Sequence, residues 1–458
     1  MKKGRDRHFA STGVRRFRRA AGGRMLIALF ILLLTFWQGG GLLPAAERFP
    51  PPDFTSGYSQ PGVQQPAGIP QGREWGDVIV LAGALGLATW LALKRRSRAW
   101  LFILTLLSLL YFGFYRHGCV CVIGSIQNVS AAVANPGWVL PLSLLAFFLL
   151  PLVFALFFGR VFCAAVCPQG AIQDAVLIRP VQLPEGLTRP LEWLAFLLLT
   201  IGILLAATGC GFIICRLDPF IGLFRLGGPR SVIVLGFLFV VLSVFIGRPY
   251  CRFVCPYGAL LRLISRLAWR SATITPDECI RCGLCADACP YGAIQVPVPE
   301  EAVRDRQTGK RTLRWILFSF PLLLAVGGSL GYVSAPALAR LHPTVRMADY
   351  ERARQSLIPD RNLRERLAAY RQAGGSMEEL HREAARVIER VRRGSLAGGV
   401  FMAAVIGCSL LGTVMRRAQP DWRADPGRCV ACGRCFQYCP REHRRLRGVD
   451  SIRDEIPS

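Results

Sequence analysis

Apolar residues gather in eight long runs along the chain, at 25–43, 77–93, 99–115, 139–158, 191–209, 231–247, 315–333 and 395–415. A helix needs about 20 such residues to cross a hydrocarbon core of about 30 Å. The pattern therefore predicts an all-α membrane fold of about eight transmembrane helices, the second and third runs being the shortest. The first run has a second reading, a signal peptide cleaved near Pro44-Ala45-Ala46.

Between the runs the chain changes character. Residues 1–24 form a basic tail, and 44–76 are rich in Pro, Gly, Gln and Ser, which predicts an extended linker. Residues 334–394 form a polar insert outside the bilayer. Within it Ser376-Met377-Glu378-Glu379 has the capping-box pattern that opens a helix. The insert reads equally as a docking surface and as a solvated helical hairpin. The remaining blocks are 77–98, 99–172, 191–260, 270–300 and 425–458.

The net charge of +27 would suit nucleic acid, but its distribution argues for lipid. Arg15, Arg16, Arg18, Arg19 and Arg24 precede the first run, and Lys94, Arg95, Arg96 and Arg98 follow the second. That is the positive-inside signature, and such flanks also attract anionic headgroups. It predicts a multi-pass inner-membrane protein with both termini cytoplasmic, partnered by the bilayer and not by nucleic acid. The many arginines of 334–394 oppose the rule, which long translocated segments escape.

Seventeen cysteines change the picture from membrane anchor to redox protein. Cys279, Cys282, Cys285 and Cys289-Pro290 have the C-x-x-C-x-x-C-x-x-x-C-P spacing that holds a [4Fe–4S] cube. Cys429, Cys432, Cys435 and Cys439-Pro440 repeat it near the C-terminus. Soft thiolates select iron–sulfur, zinc or copper(I), and the trailing proline favours iron–sulfur. Two cubes are expected. In two-cluster ferredoxins the fourth cysteine serves the other cube. That pattern would join Cys439 to Cys279, Cys282 and Cys285, and Cys289 to Cys429, Cys432 and Cys435; alternatively each motif folds alone. Gly283 and Gly433 let the backbone wrap the cube. The second motif continues as Arg441-Glu442-His443, not as the Tyr291-Gly292-Ala293 of the first.

A further repeat lies in the apolar part. Gly159-Arg160-Val161-Phe162-Cys163-Ala164-Ala165-Val166-Cys167-Pro168-Gln169-Gly170-Ala171 recurs as Gly247-Arg248-Pro249-Tyr250-Cys251-Arg252-Phe253-Val254-Cys255-Pro256-Tyr257-Gly258-Ala259. Each copy follows a run, and each run follows a cysteine pair, Cys119/Cys121 or Cys210/Cys215, expected on the external side. The two units, 99–172 and 191–260, thus read as a parallel internal repeat. Cys163, Cys167, Cys251 and Cys255 together offer four thiolates, enough for a third cube on the inner face. The plainer reading is two turns with packed thiols. The external cysteines suit two disulfides or one more metal site. Cys408, inside the last run, reads as core.

Other chemistry is thin. No C-x-x-C-H marks a haem, and no G-x-G-x-x-G follows a strand. Asp53-Phe54-Thr55-Ser56-Gly57-Tyr58-Ser59 has a bulky Tyr58 where flavin attachment wants a small residue. His117 and His342 read as capped loop histidines, or as metal ligands or proton carriers.

Residues 139–295 resemble the membrane polyferredoxins of the NapH/NosR type, through the two C-x-x-x-C-P strings, the following ferredoxin motif and the Cys210 to Asp218-Pro219-Phe220 loop. The large flavin-binding external domain of the NosR branch has no counterpart in this sequence. The resemblance implies inner-membrane electron transfer, commonly from quinol toward an external acceptor. The expected role is an electron-transfer component, not a stand-alone enzyme, linking the quinone pool or a cytoplasmic donor to a partner reductase. The Arg160–Gln169 string also resembles accessory polyferredoxins that reduce copper during cytochrome oxidase maturation, which makes metal handling the alternative. A redox sensor is the third reading, and no DNA-binding or kinase segment accompanies it.

Overall fold

Two π-helical turns finish the first pair of long helices. Gln71–Thr89 runs on through Trp90–Arg95, and Arg98–Ser108 runs on through Leu109–Tyr115. Arg96 takes a left-handed conformation at φ 52 and closes the hairpin between them. At the far end Asp77 accepts from the Tyr111 hydroxyl at 2.9 Å and pairs with Arg116 at 2.5 Å, both in nearly dry surroundings. The computed structural model describes residues 71–118, 122–275, 279–298, 306–352, 361–414 and 419–446. The chain divides into two compact units, Met1–Glu74 and Trp75–Ser458. The first is described only at residues 71–74, so the run 25–43, nearly all of the predicted linker, the Asp53–Ser59 string, and in the second unit Cys119 and Cys121, lie outside the described residues.

Among the described residues, five helices are long and apolar enough to cross a membrane: Gly72–Arg95, Arg98–Tyr115, Glu185–Ala207, Leu313–Ala339 and Met377–Gly412. A sixth candidate is a pair, Pro219–Arg225 with Arg230–Ser243, bent by 100°. Two predicted spans come out short. The run 139–158 yields a helix only from Leu142 to Phe158, after Pro141. The run 231–247 stops helical at Ser243, because the carbonyls of Val244 and Phe245 accept instead from the amides of Ile178, Arg179 and Val181. A further apolar helix, Val122–Ala134, occupies a stretch where no element is expected from the runs.

The last two long helices, Arg306–Ala339 and Met377–Val414, meet backbone to backbone. A Cβ at Gly331 would fall inside the Ser395 carbonyl, and one at Gly399 inside the Gly327 carbonyl. Such small-residue contacts let helices approach where lipid removes the hydrophobic drive to associate. The opposite face of the first is apolar and open, with Phe318 82% and Val333 74% exposed, a surface suited to lipid and not to water.

The polar insert has a core of its own, with Val345, Leu367, Leu380, Val387 and Val391 buried together. Its helices are Pro343–Arg352, Arg361–Gln372 and the first half of Met377–Val414. Ser376 caps that last helix, its Oγ accepting from the Glu379 amide at 3.1 Å. The expected boundary at 394 is therefore absent: one helix of 38 residues runs from the insert into the last span. Gly394 and Gly398 do not break it, because Leu204 and Thr200 fill the space beside them. Cys408 is exposed on this helix and is not core; the face that packs on Arg306–Ala339 is the other one, around Gly399 and Ala403.

On either side of these helices in the chain, two short strands join distant segments. Ile294–Gln295 pairs antiparallel with Arg423–Ala424, in register Ile294 with Ala424. The Asp425 amide adds a bond to the Ala293 carbonyl at 2.8 Å.

Candidate metal centres

Both C-x-x-x-C-P strings fold the same way. Cys163 lies in the short helix Val161–Ala165 and Cys251 in Pro249–Phe253. Cys167 and Cys255 then stand at the N-cap of the next helix, Pro168–Ala175 or Pro256–Ser265, with proline at the first position. Proline suits that place because its missing N–H would have no helical partner. The Cys255 Sγ accepts from the Gly258 amide at 3.3 Å.

The two copies face one another. Cys163, Cys167, Cys251 and Cys255 line a single cavity, closed by Phe162 and Tyr257 and bordered by Gly118 and Val122. The Cys167 thiol lies within hydrogen-bond reach of Cys251. The arginine of each copy reaches the glycine of the other. A Cβ at Gly170 would sit 3.3 Å from Arg248 Nη1, and one at Gly258 would sit 3.6 Å from Arg160 Nη2. Arg248 also donates to the Cys163 carbonyl and, at 3.0 Å, to the Ala164 carbonyl. Arg160 donates to Cys163 Sγ at 3.8 Å.

The ferredoxin-type motifs supply two more quartets, and the motifs interleave. Cys279, Cys282 and Cys285 line a cavity with Cys439 and Trp422. Cys289 lines another with Cys429, Cys432 and Cys435, beside Tyr291 and Phe436. The local geometry repeats between motifs: Gly283 and Gly433 have φ 78 and 76, and Arg281 and Ala431, one residue before Cys282 and Cys432, have φ 55 and 54. Left-handed backbone at non-glycine residues is costly and clusters at functional sites.

Among the described residues no three of these side chains converge on a point where a single ion would sit; each quartet surrounds a space. The donor chemistry fits a thiolate-ligated cluster. Burial pushes the Cys429 thiol up to about 12 and the Cys285 thiol up to about 11, so at neutral pH these ligands stay protonated unless metal displaces the proton. Arg160 Nε and Arg248 Nε are buried donors without a hydrogen-bond partner in the protein, both next to the C-x-x-x-C-P quartet.

Other predicted residues are placed less centrally. Cys210 is a free thiol packed against the core of the insert, its Sγ 3.3 Å from Thr208 Oγ1. Cys215 is a second free thiol, its amide donating to Gln127 Oε1 at 3.2 Å. His117 sits in a loop at φ 50 with Nδ1 3.5 Å from the Phe224 carbonyl, and His342 Nδ1 accepts from the Thr344 amide at 3.2 Å. Both are capped loop residues.

A buried ionic network escapes the sequence pattern. Asp174 accepts from Arg98 at 2.6 Å, from Arg434 at 3.1 Å and from the Tyr291 hydroxyl at 3.2 Å, with Arg248 at 3.5 Å. Burial alone would raise the Asp174 carboxyl, but Arg248, Arg98 and Arg434 hold it well below the usual carboxylate range. Glu192 pairs with Arg262 at 2.9 Å and Arg428 at 3.1 Å. The only sequence signal is a carboxylate or guanidinium next to an apolar run, where ionisable groups are functional by default.

Comparison with known proteins gives this geometry a context. A family model described as a 4Fe-4S binding domain matches residues 140–180 and 228–273, which carry the two C-x-x-x-C-P strings. A second 4Fe-4S binding domain model matches residues 272–295, which carry Cys279 to Cys289. The putative electron transport protein YccM of Escherichia coli is 29% identical over 44% of this chain and 56% of its own length. The methylamine utilization ferredoxin-type protein MauN of Paracoccus denitrificans is 32% identical over 36% of this chain and 60% of its own. The regulatory protein NosR of Pseudomonas aeruginosa is 29% identical over 41% of this chain and 28% of its own. The chain thus spans less than two thirds of each of these three relatives. No solved structure matches.

Proposed function

We propose that this chain, a ferredoxin-type 4Fe–4S membrane protein of the NosR/NapH type, passes single electrons between a pair of ferredoxin-type centres and a third centre inside the helical bundle. The observation that carries the reading is the enclosure of twelve cysteines in three quartets, each around its own cavity. On this reading Cys279, Cys282, Cys285 and Cys439 hold one cube, and Cys289, Cys429, Cys432 and Cys435 hold the second. Cys163, Cys167, Cys251 and Cys255 hold the third.

A cube supplies one-electron chemistry when bound. The protein's part is to position and shield it. The strand pair Ile294–Gln295 with Arg423–Ala424 fixes the two ferredoxin motifs against each other. Arg96, buried between the first two long helices, pairs with Glu442 at 2.5 Å and donates to the Ile274 carbonyl at 2.5 Å. It thereby fastens both motifs to the membrane part. Phe162 and Tyr257 exclude water from the third quartet.

With the ferredoxin end cytoplasmic, as the basic flanks suggest, the donor is the quinone pool or a cytoplasmic protein and the acceptor a respiratory partner reductase. Iron analysis and EPR on anaerobically purified protein test the assignment. About twelve irons per chain are expected, four for each cube. Cys251→Ser with Cys255→Ser should lower the count by about four and remove one set of signals. An iron count of about eight that those substitutions leave unchanged would overturn the third centre.

A further inference from the structure

The bundle buries more positive charge than it neutralises, and the surplus is concentrated in one place. Arg98, Arg248 and Arg434 share Asp174, and Arg262 and Arg428 share Glu192. Among the described residues, Arg160 is only 4% exposed and has no carboxylate within ion-pair distance. Charge removed from water without a partner is expensive. Among the described residues a backbone carbonyl and a thiol are all that Arg160 has to offset it.

Its position shows what can offset the rest. Arg160, Arg248 and Arg252 line one small cavity together with Cys163 and Cys251 on one side and Tyr291 and Val430 on the other. The first two belong to the C-x-x-x-C-P quartet. Tyr291 follows Cys289-Pro290, and Val430 lies between Cys429 and Cys432. Arg160 spans the gap by itself: Nη2 reaches Cys163 Sγ at 3.8 Å and Nη1 donates to the Gly427 carbonyl at 3.2 Å, two residues before Cys429. Arg252 Nη2 would meet a Cβ at Gly292 at 3.7 Å, so it touches the tail of the first ferredoxin motif.

We propose that Arg160 is a potential-setting residue: its unpaired charge, held between two cluster sites, stabilises the reduced state of the C-x-x-x-C-P centre and draws the electron inward from the ferredoxin pair. The inference rests on the cluster assignment above. A cube with four thiolates is a net anion that gains one more negative charge on reduction, and net charge and hydrogen bonds to sulfur set its potential. An unscreened guanidinium in a poorly polarisable interior favours that added charge far more than one in water. The Arg160 contact is to a sulfur of the C-x-x-x-C-P quartet, whereas on the ferredoxin side it is to a backbone carbonyl, so the stabilisation is uneven. The transfer moves one electron: the Cys289/Cys429/Cys432/Cys435 site is oxidised and the C-x-x-x-C-P site reduced, with no bond made or broken.

The test is an EPR-monitored redox titration of full-length protein carrying Arg160→Gln or Arg160→Lys, with iron content measured alongside. The glutamine variant should keep its iron but lower the potential of the C-x-x-x-C-P centre. The expected shift changes its reduced-to-oxidised ratio about tenfold, about 59 mV for one electron, and the lysine variant should recover most of it. Unchanged potentials with all cubes present would overturn the inference. So would loss of the centre in the glutamine variant with lysine no better, which would mark the arginine as scaffold. Absence of any centre lost on Cys251→Ser and Cys255→Ser would instead refute the underlying assignment.

Discussion

Gln169 Nε2 donates to Asp218 Oδ2 at 2.7 Å, and both side chains are buried. Gln169 lies two residues past Cys167, and Asp218 three past Cys215. The sequence reading sends these cysteines to opposite sides of the bilayer. In the fold, Pro219–Arg225 meets Arg230–Ser243 at 100°, and Asp218, the N-cap of the shorter helix, stands beside the C-x-x-x-C-P quartet. The far loop therefore comes within one hydrogen bond of the inner cysteines, and the span between them shrinks accordingly.

Gln169→Leu should destabilise the bundle by about 2 kcal/mol, because it takes one donor from a buried carboxyl that is left with backbone amides, the Phe220 amide among them. Asp218→Leu should also cost the helix its cap, and adding it to Gln169→Leu should cost less than the sum of the two singles, since the Gln169–Asp218 bond can be lost only once. Thermal unfolding of the single and double variants in the same detergent or lipid decides it; a double variant less stable than the sum of the singles would refute the pairing.

Interleaved ligation predicts an unequal pair of double variants. Cys279→Ser with Cys439→Ser should remove one cube, about four irons, and Cys279→Ser with Cys289→Ser should remove two. Motif-by-motif ligation predicts the reverse. Iron analysis of the three single and two double variants separates them.

Gly331→Leu should separate the last two long helices, where a side chain would enter the Ser395 carbonyl. A cost of about 2 kcal/mol or more is expected from overpacking alone. Gly412→Leu, at a place with no neighbour within 4 Å, should cost little. Unfolding of both variants in lipid nanodiscs checks the contrast.

The Glu442 carboxyl sets an acid limit on the C-terminal segment. Burial would raise it, but hydrogen bonds and charge from Arg445 and Arg96 outweigh burial and lower it. A lowered folded-state value gives stability that is complete above the ordinary carboxylate range and is lost as pH falls through the lowered one. Exchange protection of residues 419–446 should therefore hold at neutral pH and fall below about pH 4. Glu442→Gln should lose about 3 kcal/mol at neutral pH, as breaking a buried pair does, and flatten the acid dependence. Hydrogen exchange followed by mass spectrometry reads both.

Long apolar runs and cysteine spacing carry their information locally, so five helices long and apolar enough to cross a membrane and the 4Fe-4S motif of residues 272–295 are legible in the sequence. What escapes is decided by packing. Val122–Ala134 holds Ser125, Gln127, Asn128 and Ser130 among its apolar residues, so it reads as a loop until Gln127 meets the Cys215 amide. Cys408 reads as core because its run is apolar throughout, yet its side chain is exposed, outside the contacts that Gly398 and Gly399 make with Thr200 and Gly327. Arg98, Arg248 and Arg434 come from three separate segments, and only the fold brings them to Asp174.

The strand pairing of Ile294–Gln295 with Arg423–Ala424 also imposes an order on biosynthesis. The ribosome finishes the first motif long before it makes the second, and two long helices must be threaded in between. On the interleaved assignment proposed above, neither ferredoxin quartet has all four of its thiols until then. Iron delivery that waits for the last helix to insert would meet complete sites, whereas early delivery would meet three-thiol and one-thiol fragments. Truncated or badly inserted chains would then carry no finished ferredoxin cube, and the C-terminal motif would act as the molecule's own inspection step.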